Sequence, residues 1–303
     1  MGGKIVIGFD GTDSGEDALA LGTLLCRATG AAPVVAAAYP EEYPIGPGRV
    51  DAEWVLFMRE RAEEMLGRAR RVLGDGDAEY RVVAATSAAR GLHELAEAER
   101  ADVVVVGSAR RGPLGRTFPG PTGERLLQGS AVPVAVAPRG MREHSPTDLR
   151  TIAVAYLDTP EGHAALEAAA GLAAACGAAL RLLTVVAPAA EVLAPIVGRD
   201  AEEAFVARLR EVAQRSLDDA LAGLPAGVEA AAELAEGDVV DVLATLDRRD
   251  ADLLVCGSRG YGPLRRVLLG GVSSRLLRRA ACPLLVVPRR AERSERAADA
   301  AQP

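Results

Sequence analysis

Gly257, Gly260 and Gly270 stand in the spacing Gly-x2-Gly-x9-Gly directly after an apolar run, and a loop of that kind can wrap a phosphate group. Glycine has no Cβ, so the chain can take positive φ and a ligand can approach the main chain closely. Gly270-Gly271 then opens a segment of helical pattern, whose first N–H groups and dipole make an anion site. Arg259, Arg265 and Arg266 bring positive charge to the loop, and Ser258, Ser273 and Ser274 bring hydroxyls. The same residues also describe a glycine-rich turn that holds nothing, and spacing alone does not separate the two.

The passage is written twice. An offset of 150 (257 minus 107) sets Gly107 on Gly257, Ser108 on Ser258, Gly112-Pro113-Leu114 on Gly262-Pro263-Leu264 and Arg116 on Arg266. Gly120 then falls on Gly270, Arg125-Leu126-Leu127 on Arg275-Leu276-Leu277, and Pro133 on Pro283. Agreement over that length marks an internal duplication. The copies part where a phosphate would sit: Arg110 stands at the place of Gly260, Pro121 at that of Gly271 and Gly123 at that of Ser273. Arg110 adds bulk there, and Pro121 removes an N–H that would otherwise face the anion.

Short β-rich runs alternate with longer helical patterns in each half, which predicts parallel strands joined by helical crossovers. In the first half the strands are Lys4 to Phe9, Pro33 to Ala38, Glu79 to Ala85, Asp102 to Val106 and Pro133 to Ala137. Helices are expected over Ser14 to Thr29, Ala52 to Leu73, Gly91 to Arg100 and Thr122 to Gln128. The second half repeats the order, with strands Thr151 to Tyr156, Ala179 to Val186, Val228 to Ala232, Asp252 to Cys256 and Leu284 to Val287. Its helices are expected over Gly162 to Cys176, Asp200 to Leu221, Val239 to Arg248 and Val272 to Ala280. The fourth strand of each half is apolar at consecutive positions, as a central strand covered on both faces should be. Each ends at Gly-Ser, where an open parallel sheet places its ligands. The halves are assigned to residues 1–139 and 149–290, with the charged, Ser- and Pro-containing segment Arg139 to Asp148 as linker and 291–303 as a disordered tail.

Composition narrows the classes of function. With 303 residues, 49% hydrophobic and 25% charged, the chain reads as a soluble two-domain protein. A net charge of −7 disfavours nucleic acid and anionic membrane surfaces, which are bound through phosphate neutralisation. No apolar run approaches the ~20 residues of a membrane helix. Cys26, Cys176, Cys256 and Cys282 are dispersed and read as small buried residues, not as metal ligands. Met1 leads into a strand without a signal-peptide pattern, so a cytoplasmic location is expected.

The passage from Gly257 through Ser274, followed by Cys282-Pro283 and the final strand, resembles the universal stress protein signature, as does the opening Ile5-Val6-Ile7-Gly8-Phe9-Asp10-Gly11-Thr12. The likeness spans nearly the whole chain in two tandem copies. It implies an α/β fold with a doubly wound, five-stranded parallel sheet of order 3-2-1-4-5 in each half, like the adenine nucleotide alpha-hydrolases. In the family's nucleotide-binding branch it also implies ATP, with or without Mg2+, on the glycine loop. Carried onto this sequence, the binding residues are Gly257, Ser258, Arg259, Gly260, Gly270, Gly271, Val272 and Ser273, with Asp158 and Val186. In the first half they are Asp10, Gly107, Ser108 and Gly120. Two departures stand out: Gly271 replaces the usual Ser or Thr, and the residue aligned with Asp10 is Leu157, with Asp158 one place later. The second half is the better candidate, because the first has lost more of the motif. The resemblance further implies that the fifth strands meet, here within one chain as a pseudo-dimer, with pairing of two chains left open.

Other chemistry finds less support. There is no P-loop lysine motif and no Gly-x-Gly-x-x-Gly after the first strand. His93, His144 and His163 read as surface residues, and Asp10 and Asp158 also fit helix caps. Trp54, Phe57, Met58 and Leu66 suggest a packed helix face. Two functions therefore stand open: a nucleotide-binding stress or signalling protein, non-enzymatic apart from slow hydrolysis, and a nucleotide-independent interaction module of the same fold. A hydrolase is a third option without a visible acid–base pair.

Overall fold

The computed structural model describes residues 3–41, 52–74, 76–109, 114–186, 199–258 and 275–288. In the first half the order is β1 (Lys4–Gly8), α1 (Asp13–Thr29), β2 (Ala32–Pro40), α2 (Ala52–Leu73), β3 (Glu79–Ala85), α3 (Ala88–Ala98), β4 (Val103–Gly107), α4 (Pro121–Gly129) and β5 (Val134–Ala137). A single 3-10 turn, Met141–Glu143, follows. The second half runs β6 (Thr151–Ala155), α5 (Pro160–Cys176), β7 (Ala179–Val186), α6 (Arg199–Ala222), β8 (Ala230–Glu236), α7 (Val239–Thr245), β9 (Leu253–Gly257) and β10 (Leu284–Val287).

The strands form one ten-stranded sheet in the order β3-β2-β1-β4-β5-β10-β9-β6-β7-β8. Each half is parallel with the expected 3-2-1-4-5 order. The fifth strands meet as expected, antiparallel, with Val136 opposite Leu284, Ala135 opposite Leu285 and Val134 opposite Val286. The central strands β4, β5, β9 and β10 are buried along their length, whereas the outermost strands β3 and β8 alternate and are mostly half-exposed. These edges carry charge: Glu79 pairs with Lys4 at 2.8 Å, and Glu233 with Arg181 at 2.6 Å. Charged edge strands resist pairing with further chains.

Successive strand residues point to opposite faces, so Ile5 and Ile7 join α1, α2, α5 and α6 in one core, while Val6 joins α3, α4 and α7 in the other. On α2 the buried line is Ala62, Leu66 and Ala69, the spacing of one helical face. Leu66 thus packs as expected, but Phe57 does not: it is 52% exposed, with the Arg61 guanidinium 5.8 Å from its ring centroid. α1 and α5 both end on a left-handed glycine, Gly30 and Gly177. α7 stops earlier than the pattern suggests, because Asp247 accepts from the Arg249 amide at 2.7 Å and so offers the backbone a turn in place of another helical bond. β8 runs past its expected end because β7 keeps pairing with it as far as Val186 opposite Glu236.

The start of the expected linker, Gly140 to Arg142, is built into the first half. Met141 is fully buried, and the Asp17 carboxylate of α1, itself fully buried, accepts from the amides of Gly140 at 2.8 Å and Arg142 at 2.9 Å. The expectation of buried cysteines holds for Cys256 and Cys282, which are 4% and 0% exposed. Burial pushes the Cys282 thiol up to about 12. At pH 8 its thiolate is then roughly one part in ten thousand, so iodoacetamide should leave Cys282 unmodified in native protein and alkylate it in urea. Equal labelling under both conditions would show that the join between the halves opens.

Candidate functional site

Strand order reverses between β1 and β4, and the crevice beyond their carboxyl ends is where such a sheet takes ligands. Here it holds a cavity of about 620 Å³, within the usual range for small-molecule sites. Its bed is apolar, with Gly8, Ala36, Ala38, Leu92 and Val106, and Met65 reaching over from α2. Its rim is polar and carries Asp10, Thr122, Glu124 and Arg278. Such a slot suits a flat apolar ring with a polar extension.

Of the residues singled out from the sequence, the structure brings Asp10, Gly107 and Gly120 together around this cavity. Asp10 does not cap α1. Its Oδ1 accepts from the Thr12 amide at 3.0 Å and the Thr12 hydroxyl at 2.7 Å, an Asx turn that holds the carboxylate at the rim, while Thr12 takes the N-cap position. Gly107 lines the cavity too, and its own Cβ direction is filled by the carbonyl of Ser14. Ser108 lies behind the wall. It is 1% exposed, its hydroxyl donating to the Ala137 carbonyl at 2.6 Å and accepting from the Phe118 amide at 2.9 Å. It staples the loop after β4 to β5.

Gly120 is the N-cap of α4, and Pro121 is its first residue. The Glu124 amide already bonds the Gly120 carbonyl at 2.9 Å. Since the first helical amides have no partner within the helix and proline has none to offer, Thr122 and Gly123 supply the amides of this end. Arg110 lies outside the described residues.

In the second half the reversal lies between β6 and β9. Asp158 is again not the cap: Thr159 caps α5 by accepting from the Gly162 amide at 3.1 Å. Asp158 instead meets His163 Nε2 at 2.8 Å, and the His163 ring stands edge-on to Tyr156, with centroids 5.7 Å apart. Burial pushes the Tyr156 phenol up. Leu157, at the place of Asp10, is 57% exposed. Val186 closes β7, its carbonyl accepting from Gly237, and Gly257 ends β9. Ser258 is 1% exposed and its amide bonds the Val287 carbonyl at 2.9 Å. Its hydroxyl has no partner among the described residues. In the first half the hydroxyl donates to β5 and accepts from the loop; the matching loop here, with Arg259, Gly260, Gly270, Gly271, Val272 and Ser273, lies outside the described residues. His93 and His144 stand apart from both crevices, on α3 and in the linker.

The universal stress protein family model matches residues 1–138 and 148–288. The chain belongs to the universal stress protein family. Universal stress protein Rv2319c of Mycobacterium tuberculosis is 28% identical over 293 residues, covering 94% of this chain and 99% of its own. Among solved structures, a universal stress protein from Archaeoglobus fulgidus is 20% identical with a TM-score of 0.64, covering 94% of this chain and 96% of that one, a likeness of fold. A universal stress protein solved in complex with cAMP is 28% identical over a match covering 35% of this chain and 75% of that one, with a TM-score of 0.26.

Sequence reasoning on this universal stress protein missed one group at the first site. Arg278 belongs to the second half yet stands at the rim of the first half's cavity, its Nη2 2.8 Å from Glu124 Oε1. The only trace in the sequence is a difference between copies: Gln128 and Ser274 occupy the places of Arg278 and Glu124. Among the described residues no helix is long and apolar enough to cross a membrane, and no cluster of three or more His, Cys, Asp or Glu could hold a metal.

Proposed function

We propose that this universal stress protein binds an adenine nucleotide, ATP with or without Mg2+, as a signal and not as a substrate for turnover. Supporting this is the cavity beyond β1 and β4, where an apolar slot for a base lies beside an acceptor-only carboxylate, Asp10, suited to ribose hydroxyls, and the amide end of α4. The second half carries the fuller glycine loop in its sequence, so the tighter phosphate site is assigned there, to Gly257, Ser258, Arg259, Gly260, Gly270, Gly271, Val272 and Ser273. Asp158 and Val186 border it, while Asp10, Gly107 and Gly120 form the weaker site, which Ser108 braces. No acid–base pair for hydrolysis stands at the described cavity. The site is read as cytoplasmic, and partner proteins as the readers of the bound state.

Freshly purified protein should release adenine nucleotide on denaturation, detected by chromatography and mass spectrometry. Gly260→Arg, which copies the first half's residue, should lose most of it. If wild type releases none, and ATP neither binds nor raises the melting temperature, the loop is an inherited turn. The interaction-module reading then takes its place.

A further inference from the structure

We infer that Glu124 and Arg278, one from each half, set the charge of the ligand that the first half's cavity accepts, favouring an adenine nucleoside or its monophosphate over a triphosphate. This rests on the reading of that cavity as an adenine site. The described charged groups at its rim are Asp10, Glu124 and Arg278, two negative and one positive. The one cation is already paired with Glu124 at 2.8 Å. At the same end Pro121 has replaced an amide donor. A triphosphate would therefore meet two carboxylates, a shortened set of amides and no unpaired cation among the described lining residues. A single phosphate needs only one exchange, in which Arg278 releases Glu124 and takes the ligand instead, a charge-assisted bond that guanidinium geometry suits.

Arg278 is held in place for that exchange. Its guanidinium lies 5.5 Å from the centroid of the Phe118 ring, itself part of the cavity wall. The loop bearing Phe118 is tied to the second half through the Thr117 amide and the Ala280 carbonyl at 2.8 Å, and through Arg116 and the Arg279 carbonyl. Arg278 and the wall it serves thus move together. The offset between copies puts Ser274 and Gln128 at the matching places, so the charge pair belongs to the first half's cavity alone and makes it dependent on the tandem.

The test uses the full chain and reads the first cavity locally. Of the four methionines, Met65 lines it, so its labelled methyl resonance reports binding there, while buried Met141 reports folding. Adenosine, AMP and ATP are titrated into wild type, Arg278→Gln and Glu124→Ser, the substitutions that copy the other half. Wild type should bind AMP at least as tightly as ATP. Both side chains are partly exposed, so Arg278→Gln should weaken AMP by about tenfold or less and leave adenosine unchanged. Glu124→Ser should strengthen ATP by a similar factor and narrow its gap to AMP. ATP binding tightest, with no response to Glu124→Ser, would overturn the inference while leaving the cavity an adenine site. Equal loss of adenosine and AMP in Arg278→Gln would also overturn it, since a structural arginine would behave so. A Met65 resonance that follows none of the three compounds would remove both the inference and the adenine reading of this cavity.

Discussion

Gly107→Ala should destabilise the protein by about 3 kcal/mol, the upper end for a group forced into a filled space, although it adds a single methyl group. A Cβ at residue 107 would lie 1.9 Å from the Ser14 carbonyl oxygen and 2.6 Å from the Ser14 hydroxyl. The first of these is backbone, at the start of α1 where it crosses the end of β4, and backbone cannot rotate away as a side chain can. The remedy is to lift α1, which packs on β1 and β4 with Leu19, Leu21 and Leu25 buried to within 1% exposure. At roughly 2–4 °C per kcal/mol, the melting temperature should fall by about 6–12 °C. Gly120→Ala is the control. Its nearest neighbour would be Ala109 Cβ at 3.5 Å, an ordinary contact, so it should melt within about 2 °C of wild type. Similar melting curves for the two variants would refute the packing argument. Gly257→Ala should behave like Gly107→Ala, since its Cβ would lie 2.5 Å from the Glu161 carbonyl oxygen.

This separates two kinds of glycine that look alike in the sequence. The first glycine of the loop is retained in both copies, and the packing of α1 on β4 and α5 on β9 demands it whether or not a nucleotide is bound. Its retention therefore says little about phosphate. The later positions, where Arg110, Pro121 and Gly123 replace Gly260, Gly271 and Ser273, are the informative ones.

The strands were legible because their physics is local. Val103–Gly107 and Leu253–Gly257 are covered on both faces, and a run buried on both faces must be apolar at every position. The crevice was legible for the same reason, since strand order fixes where the sheet opens. Beyond the meeting of the fifth strands, contacts between the halves were not. Nothing in the pattern around Arg278 distinguishes it from the exposed arginines beside it, because its role depends on Glu124, 154 positions earlier, and on a docking that no periodicity encodes. The alternative of Asp10 and Asp158 as caps fails for a related reason. Asp10 and Asp158 have the right residue type for a cap, but Thr12 and Thr159 stand closer to the helices and take that place. That leaves Asp10 at the rim of the cavity and gives Asp158 to His163.

Asp17→Ala should cost about 3–5 kcal/mol, the range for breaking a buried, hydrogen-bonded charge. The carboxylate is enclosed on α1 and takes three donors: the amides of Gly140 and Arg142 and, at 3.2 Å, the Arg142 Nη1. Burial works against the Arg142 charge, but Asp17 and Asp13 more than offset it and hold the guanidinium above its ordinary pKa. Alanine would leave the two amides without an acceptor, at about 1–3 kcal/mol for each that stays buried. Asp13, 69% exposed and 3.2 Å from the same guanidinium, should lose under about 1 kcal/mol on replacement. Urea unfolding gives the magnitude, and trypsin gives the location: Arg139 and Arg142 flank Met141, so loss of the anchor should open this segment to cleavage before the rest of the chain. Asp17→Ala protein that resists trypsin there as wild type does would show that Met141, not Asp17, secures the segment. Because α1 also starts over Gly107, the same anchor bears on the cavity wall. A segment that reads as a spacer is thereby coupled through one helix to the ligand crevice, and Asp17→Ala should loosen both together.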